Sequence, residues 1–141
     1  LLTYYEHGAE AGQVIKPDWD EPRGVSSVQS LAWLPDGQRI VSAGLRSTCR
    51  IWDVITGHDS TVFDRTDGPV TVAPDGEWLG SPYGVSAIEV WSATTGKVAF
   101  KYAGSGLTLL ETVGWSPNGQ YLAAATRWQQ VAVKVWAANA L

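Results

Sequence analysis

The 141-residue chain has no methionine, one cysteine, two histidines and two phenylalanines. Each scarcity removes a class of chemistry. With Cys49 alone, no disulfide can form within the chain, and a single cysteine placed inside an apolar strand reads as a small buried residue. His7 and His58 stand far apart and share no chelating spacing, so no metal site and no cofactor are expected. Charged residues make up 17% of the chain and the net charge is −4. That balance lacks the basic face a nucleic-acid partner needs. No apolar run approaches membrane-spanning length. Gly80-Ser81-Pro82-Tyr83-Gly84 carries its serine one place too early for a nucleophile elbow. Gly96-Lys97 lacks the leading glycine of a phosphate loop. A methionine-free chain starting Leu1-Leu2 is expected to be processed or part of something longer.

What the chain does contain is a repeat. Pro35-Asp36-Gly37 returns as Pro74-Asp75-Gly76 and as Pro117-Asn118-Gly119. Ile51-Trp52-Asp53 returns as Val90-Trp91-Ser92 and Val135-Trp136-Ala137. The intervals, about 39 and about 43 positions, fall in the range of four-stranded repeating units. Within one unit, Val28, Leu31 and Trp33 lead into the Pro-Asp-Gly corner, where proline presets φ and glycine tolerates the left-handed region. Ile40-Val41-Ser42-Ala43 reads as a short returning strand and Thr48-Cys49-Arg50-Ile51-Trp52 as a third. Thr94-Thr95-Gly96-Lys97 is a hairpin turn. Ser60-Thr61-Val62-Phe63 and Val98-Ala99-Phe100-Lys101-Tyr102 supply fourth strands. No window shows a helical period. Most of the eight tryptophans sit at two recurring positions, Trp33 and Trp115 on the first strand and Trp52, Trp91 and Trp136 on the third, and are expected to pack between units.

On these motifs the chain resembles the WD-repeat β-propeller family, over nearly its whole length. The resemblance implies an all-β propeller of four-stranded antiparallel blades, about three in this chain, forming an incomplete ring. Residues 1–7 would be the outer strand of an otherwise missing blade and 8–24 a long loop. Residues 25–64 and 65–103 would be blades, and 104–141 a blade lacking its outer strand. The repeats are divergent. Only Trp52-Asp53 keeps the naming dipeptide, Leu45 stands where the family has an aspartate, and the Gly-His element survives loosely as Glu6-His7-Gly8 and Gly104-Ser105.

Acidic residues have structural readings: Asp36 and Asp75 form turns, as does Asn118, Asp53 caps one, and Asp59, Asp64 and Asp67 guard an edge strand. In the family, loops before the first strand and between the second and third bind partners on one rim. Carried over by position, the candidate contact residues are Arg46, Arg65, Tyr83, Arg127 and Trp128, with Trp19 in the long loop. Tryptophan, tyrosine and arginine are enriched at interface hot spots. Ring closure would fall to Leu1, Leu2, Tyr4 and Tyr5 at one end and Val133 and Val135 at the other, since three blades are fewer than the roughly four to eight of a closed propeller. The expected function is a non-catalytic interaction scaffold or assembly unit. It would bind protein partners and complete its ring with blades from the same longer polypeptide or from further copies of the chain. The alternatives are a sensing domain of a larger signalling or defence protein and, behind it, an enzyme with an axial site. No nucleic acid or membrane is expected as partner.

Overall fold

A computed structural model describes residues 3–4, 12–13, 28–44, 47–103, 109–126 and 133–138, with the backbone alone at 3–4, 12–13, 47–48 and 59–65. All regular structure among them is β. The first four strands in a common sheet are β3 (Ser30–Trp33), β4 (Arg39–Ala43), β5 (Ser47–Asp53) and β6 (Asp59–Thr66), hydrogen-bonded in that order. The next sheet repeats the pattern with β7 (Thr71–Val72), β8 (Trp78–Tyr83), β9 (Ala87–Ser92) and β10 (Val98–Ala103). A third holds β11 (Leu110–Trp115), β12 (Tyr121–Thr126) and β13 (Val133–Ala137). Every neighbouring pair is antiparallel. At the start of the chain β1 (Thr3–Tyr4) pairs antiparallel with β2 (Gly12–Gln13), so a strand lies inside the segment expected to be a loop.

The repeated corners form by the same bonds each time. Gly37 N–H donates to Leu34 O at 3.0 Å, Gly76 to Ala73 O at 2.9 Å and Gly119 to Ser116 O at 2.9 Å. All three glycines have φ between 66° and 75°, the left-handed region where a side chain costs energy. The acidic or amide residue before each glycine closes the corner. Asp36 Oδ1 accepts from Gln38 N at 2.9 Å, Asp75 Oδ1 from Glu77 N at 2.9 Å, and Asn118 Oδ1 from Gln120 N at 3.1 Å. Successive corners also lean on each other. The Cβ that Gly76 lacks would meet Pro35 Cδ at 3.1 Å, and that of Gly119 would meet Pro74 Cδ at 3.8 Å.

A second device fixes the third-strand turns. Asp53 Oδ1 accepts from Ile55 N at 2.9 Å and Thr56 N at 2.8 Å, and Ser92 Oγ takes the same place toward Thr95 N at 3.2 Å. The edge-guarding role expected for Asp67 is replaced by a tether, because Asp67 Oδ2 accepts from Gly84 N at 2.8 Å across the sheet end.

The core consists of two seams between sheets. One gathers Leu34, Val41, Cys49 and Ile51 from the first sheet with Leu79 and Trp91 from the second. The other gathers Ile88 and Val90 from the second sheet with Val113 and Leu122 from the third, flanked by Trp115 and Trp136. Polar groups stitch the first seam as well. Val70 N–H donates across it to Ser30 Oγ at 3.2 Å, while within the first sheet the fully buried Thr66 donates its hydroxyl to Gly44 O at 2.9 Å. Burial pushes the Cys49 thiol up to about 12, as expected of a cysteine serving as core.

Candidate functional site

Alignment of the three corners puts the sheets in a common register. Leu31, Val70 and Val113 become equivalent, as do Trp33, Val72 and Trp115, and on the third strand Ile51, Val90 and Val135. Side chains alternate across a strand, so each sheet has a face toward the sheet before it and one toward the sheet after it. Val70 and Val113 are 6% and 8% exposed, whereas Leu31 is 64% exposed. Ile51 and Val90 are fully buried, whereas Val135 is 56% exposed. The positions that make the two seams are thus laid bare at both ends of the series.

The outer face of the first sheet carries the exposed Leu31 and Trp33 on β3, with Trp52 on β5 buried beside them. Trp33, expected to be packed between blades, is instead 62% exposed. Trp52 is held in the same place as Trp91 and Trp136, with its Nε1–H donated to Ser42 Oγ at 2.8 Å in a buried bond. The Arg50 guanidinium carbon stands 5.9 Å from the Trp52 ring centre. The open face of the third sheet carries small and β-branched side chains with the exposed Tyr121 at its edge. Gly114, Ala123 and Val135 form one cross-strand row, and Thr112, Ala125 and Val133 the next.

Of the expected ring-closure residues, Val133 and Val135 lie on this exposed face. Tyr4 lies in β1, whose backbone pairs with β2, and Leu1, Leu2 and Tyr5 fall outside the described residues. Of the expected rim residues, Tyr83 is exposed at the end of β8. Lys101 Nζ sits 4.3 Å from its ring centre and pairs with the buried Glu89 carboxylate at 2.6 Å. That hydrogen bond raises the Lys101 pKa above its usual value. Arg65 belongs to β6, where the backbone alone is described. Trp19, Arg46, Arg127 and Trp128 fall outside the described residues. Sequence reasoning missed Leu31 and Trp33 as surface residues, although the repeat alignment already placed them at seam positions. Among the described residues no three His, Cys, Asp or Glu side chains gather as metal ligands would.

Residues 22–53, which lead into and include most of the first four-stranded sheet, match the family model described as WD domain, G-beta repeat. That stretch is similar to a WD repeat. Two solved structures of WD-repeat propellers share the fold of this chain. A structure of U3-55K superposes with a TM-score of 0.65 at 22% identity, covering 83% of this chain and 38% of that one. A crystal structure of RRP9 WD40 repeats gives 0.65 at 20% identity, covering 83% and 37%. Among curated proteins, Protein HIR1 from Cryptococcus neoformans var. neoformans serotype D, strain JEC21, is 28% identical over 110 residues. The match takes in 72% of this chain and 12% of that relative's length. The same protein from strain B-3501A matches equally. The chain thus spans well under half of each protein it resembles.

Proposed function

We propose that this WD-repeat chain is a non-catalytic protein-interaction module whose two bare sheet faces are seated against further blades. The blades would belong to the same longer polypeptide or to further copies of the chain. One observation carries the reading. The apolar positions exposed at Leu31 and Val135 are the equivalents of positions wholly or nearly buried at both internal seams. Contiguous exposed apolar surface marks an interface, and its equivalence in position to the internal seams supports another blade as the surface that covers it. Tyr83, braced by Lys101, adds an aromatic rim contact of the type enriched at interface hot spots, and Trp19, Arg46, Arg65, Arg127 and Trp128 are proposed for the same rim by position.

Thiol labelling tests this reading. Cys49 is fully buried with its pKa pushed up to about 12, so it gives no background toward a maleimide. A Val135→Cys variant carries one reactive thiol on the bare face. In dilute purified chain the thiol is expected to react at the rate of a free peptide thiol. In the cells that naturally produce the protein it is expected to be protected at least tenfold. Free-thiol rates in both settings would mean that the face is uncovered, and the reading would fall.

A further inference from the structure

We infer that the Lys101–Glu89 ion pair is the clasp of the first seam, and that acylation of the Lys101 amine, by removing the charge that holds the clasp, lets the first two sheets part. The clasp is independent of what covers the terminal faces. It consists of a carboxylate set inside a seam with its neutralising charge outside.

Glu89 lies on β9 between Ile88 and Val90, which pack toward the third sheet. Side chains alternate along a strand, so Glu89 points the other way, with Trp91, toward the first sheet. It is 4% exposed, and an ionised side chain in such a place is costly unless paired. The equivalent positions in the other two sheets are cations, each near the ring of the tryptophan two residues on. Arg50 stands 5.9 Å from the Trp52 ring centre and Lys134 stands 5.3 Å from that of Trp136. An anion gains nothing from the negative face of a ring. Ser81, the cross-strand neighbour on β8, directs its hydroxyl to the carbonyls of Gly68 and Pro82 at 3.4 and 3.2 Å. Among the described residues, neutralisation of Glu89 therefore falls to Lys101, its cross-strand neighbour on β10, whose Nζ is 2.6 Å from Oε1.

The two ends of the pair see different surroundings. The Lys101 side chain is 54% exposed and that of Glu89 is 6% exposed. β10 is the outer strand of its sheet, so solvent reaches the amine and not its partner. Tyr83 lies beside it, with its ring centre 4.3 Å from Nζ. Dimethylation keeps the charge, one donor and this contact, whereas acylation keeps none of them. In that step the deprotonated amine attacks the carbonyl of an acyl thioester, and the C–N bond forms as the C–S bond breaks. The thiol leaves with one of the two protons the ammonium sheds, and the other goes to water. A neutral amide then faces a carboxylate that is still charged and still buried, and a buried pair stripped of one partner is strongly destabilising. The hydrogen bond to Glu89 raises the Lys101 pKa, which keeps the amine protonated and slow toward free thioesters. The closed clasp is thus the resting state.

Cys49 supplies the readout, since it is fully buried in the first seam. Its rate of labelling by an aromatic disulfide reagent in native buffer reports how often that seam opens. Chain carrying acetyl-lysine at position 101, installed during synthesis, is expected to label at least about tenfold faster than the unmodified chain, solvent screening of the exposed lysine setting so modest a floor. Lys101→Gln is expected to match it. Lys101→Arg and dimethylated Lys101 are expected to stay within about threefold of the unmodified rate. Glu89→Gln combined with Lys101→Gln is expected to return to within about threefold as well, because no charge is then left in the seam. A second reporter, Ala124→Cys in a Cys49→Ala background, sits in the second seam and is expected to keep its rate on acetylation. An unchanged Cys49 rate in the acetylated chain overturns the inference, as does a double variant that fails to recover. Equal acceleration at both reporters would mean a general loosening of the fold, and overturns it too.

Discussion

At the scale of single residues, the chain relies on short polar side chains closing its turns. Asp36 shows this most fully, since Arg39 also approaches its second carboxylate oxygen at 2.6 Å. The Gln38 backbone N–H, with the Arg39 side chain next, holds the Asp36 pKa below the usual carboxylate value. The Thr56 and Ile55 N–H groups do the same for Asp53. A depressed folded-state pKa stabilises the fold above the unfolded pKa, and that stabilisation is lost as pH falls through the folded value. Stability measured by urea melts is therefore expected to decline below the ordinary carboxylate range. In the Asp36→Asn, Asp53→Asn double variant that decline is expected to be shallower, since an amide such as Asn118 keeps the acceptor and loses the titration. The glycines give a second residue-level contrast. Gly76→Ala forces a Cβ into the left-handed region at φ 75°, and against Pro35. It is expected to cost about 1–2 kcal/mol by urea midpoint. Gly80→Ala meets its neighbours at no less than 3.4 Å and is expected to shift that midpoint little.

At the scale of strands and sheets, the corners and the third-strand Ile/Val-Trp pairs were legible because both are local chemistry. A Pro-Asp-Gly turn specifies its own hydrogen bonds, and a tryptophan flanked by β-branched residues specifies a packed strand. Those two signals, with the family resemblance they carry, are what suggested four-stranded units at 25–64 and 65–103. Exposure was less legible. Trp33 and Trp115 occupy the same repeat position, and only the presence or absence of a preceding sheet decides which one meets water. Nor did residue type show that Glu89 would sit buried against Lys101, because that pairing joins different strands. Of the rim candidates, Tyr83 alone could be followed to a placed side chain, being next to a tight β8–β9 turn. Two substitutions separate seam from surface at this scale. Ile51→Ala removes a fully buried side chain and is expected to cost about 2–5 kcal/mol, whereas Val135→Ala in dilute chain is expected to cost under about 0.5 kcal/mol. Ser42→Ala would leave the Trp52 N–H buried without its acceptor. A loss of about 1–3 kcal/mol in thermal or urea melts is expected.

At the scale of the whole molecule, the described series of sheets has terminal faces at the same repeat positions as its interior ones. Stability and association are then coupled, because anything that covers the terminal faces binds the folded chain and not the unfolded one. The melting temperature is accordingly expected to rise with protein concentration, checked by calorimetry across a hundredfold range. A concentration-independent melt would leave the terminal faces uncovered in the purified chain.

Val41 shares its seam with Val72, whereas the equivalent Gly80 faces the indole of Trp115, and that difference bears on how such a chain can be rearranged. Its three sheets look alike by their corners, yet they cannot be shuffled as identical bricks. A chain rebuilt with the middle sheet in tandem would set Gly80 against Val72 and open a void where an indole belongs. Order along the series is therefore written in the width of each joint, and any duplication of a unit has to mend the joint it creates.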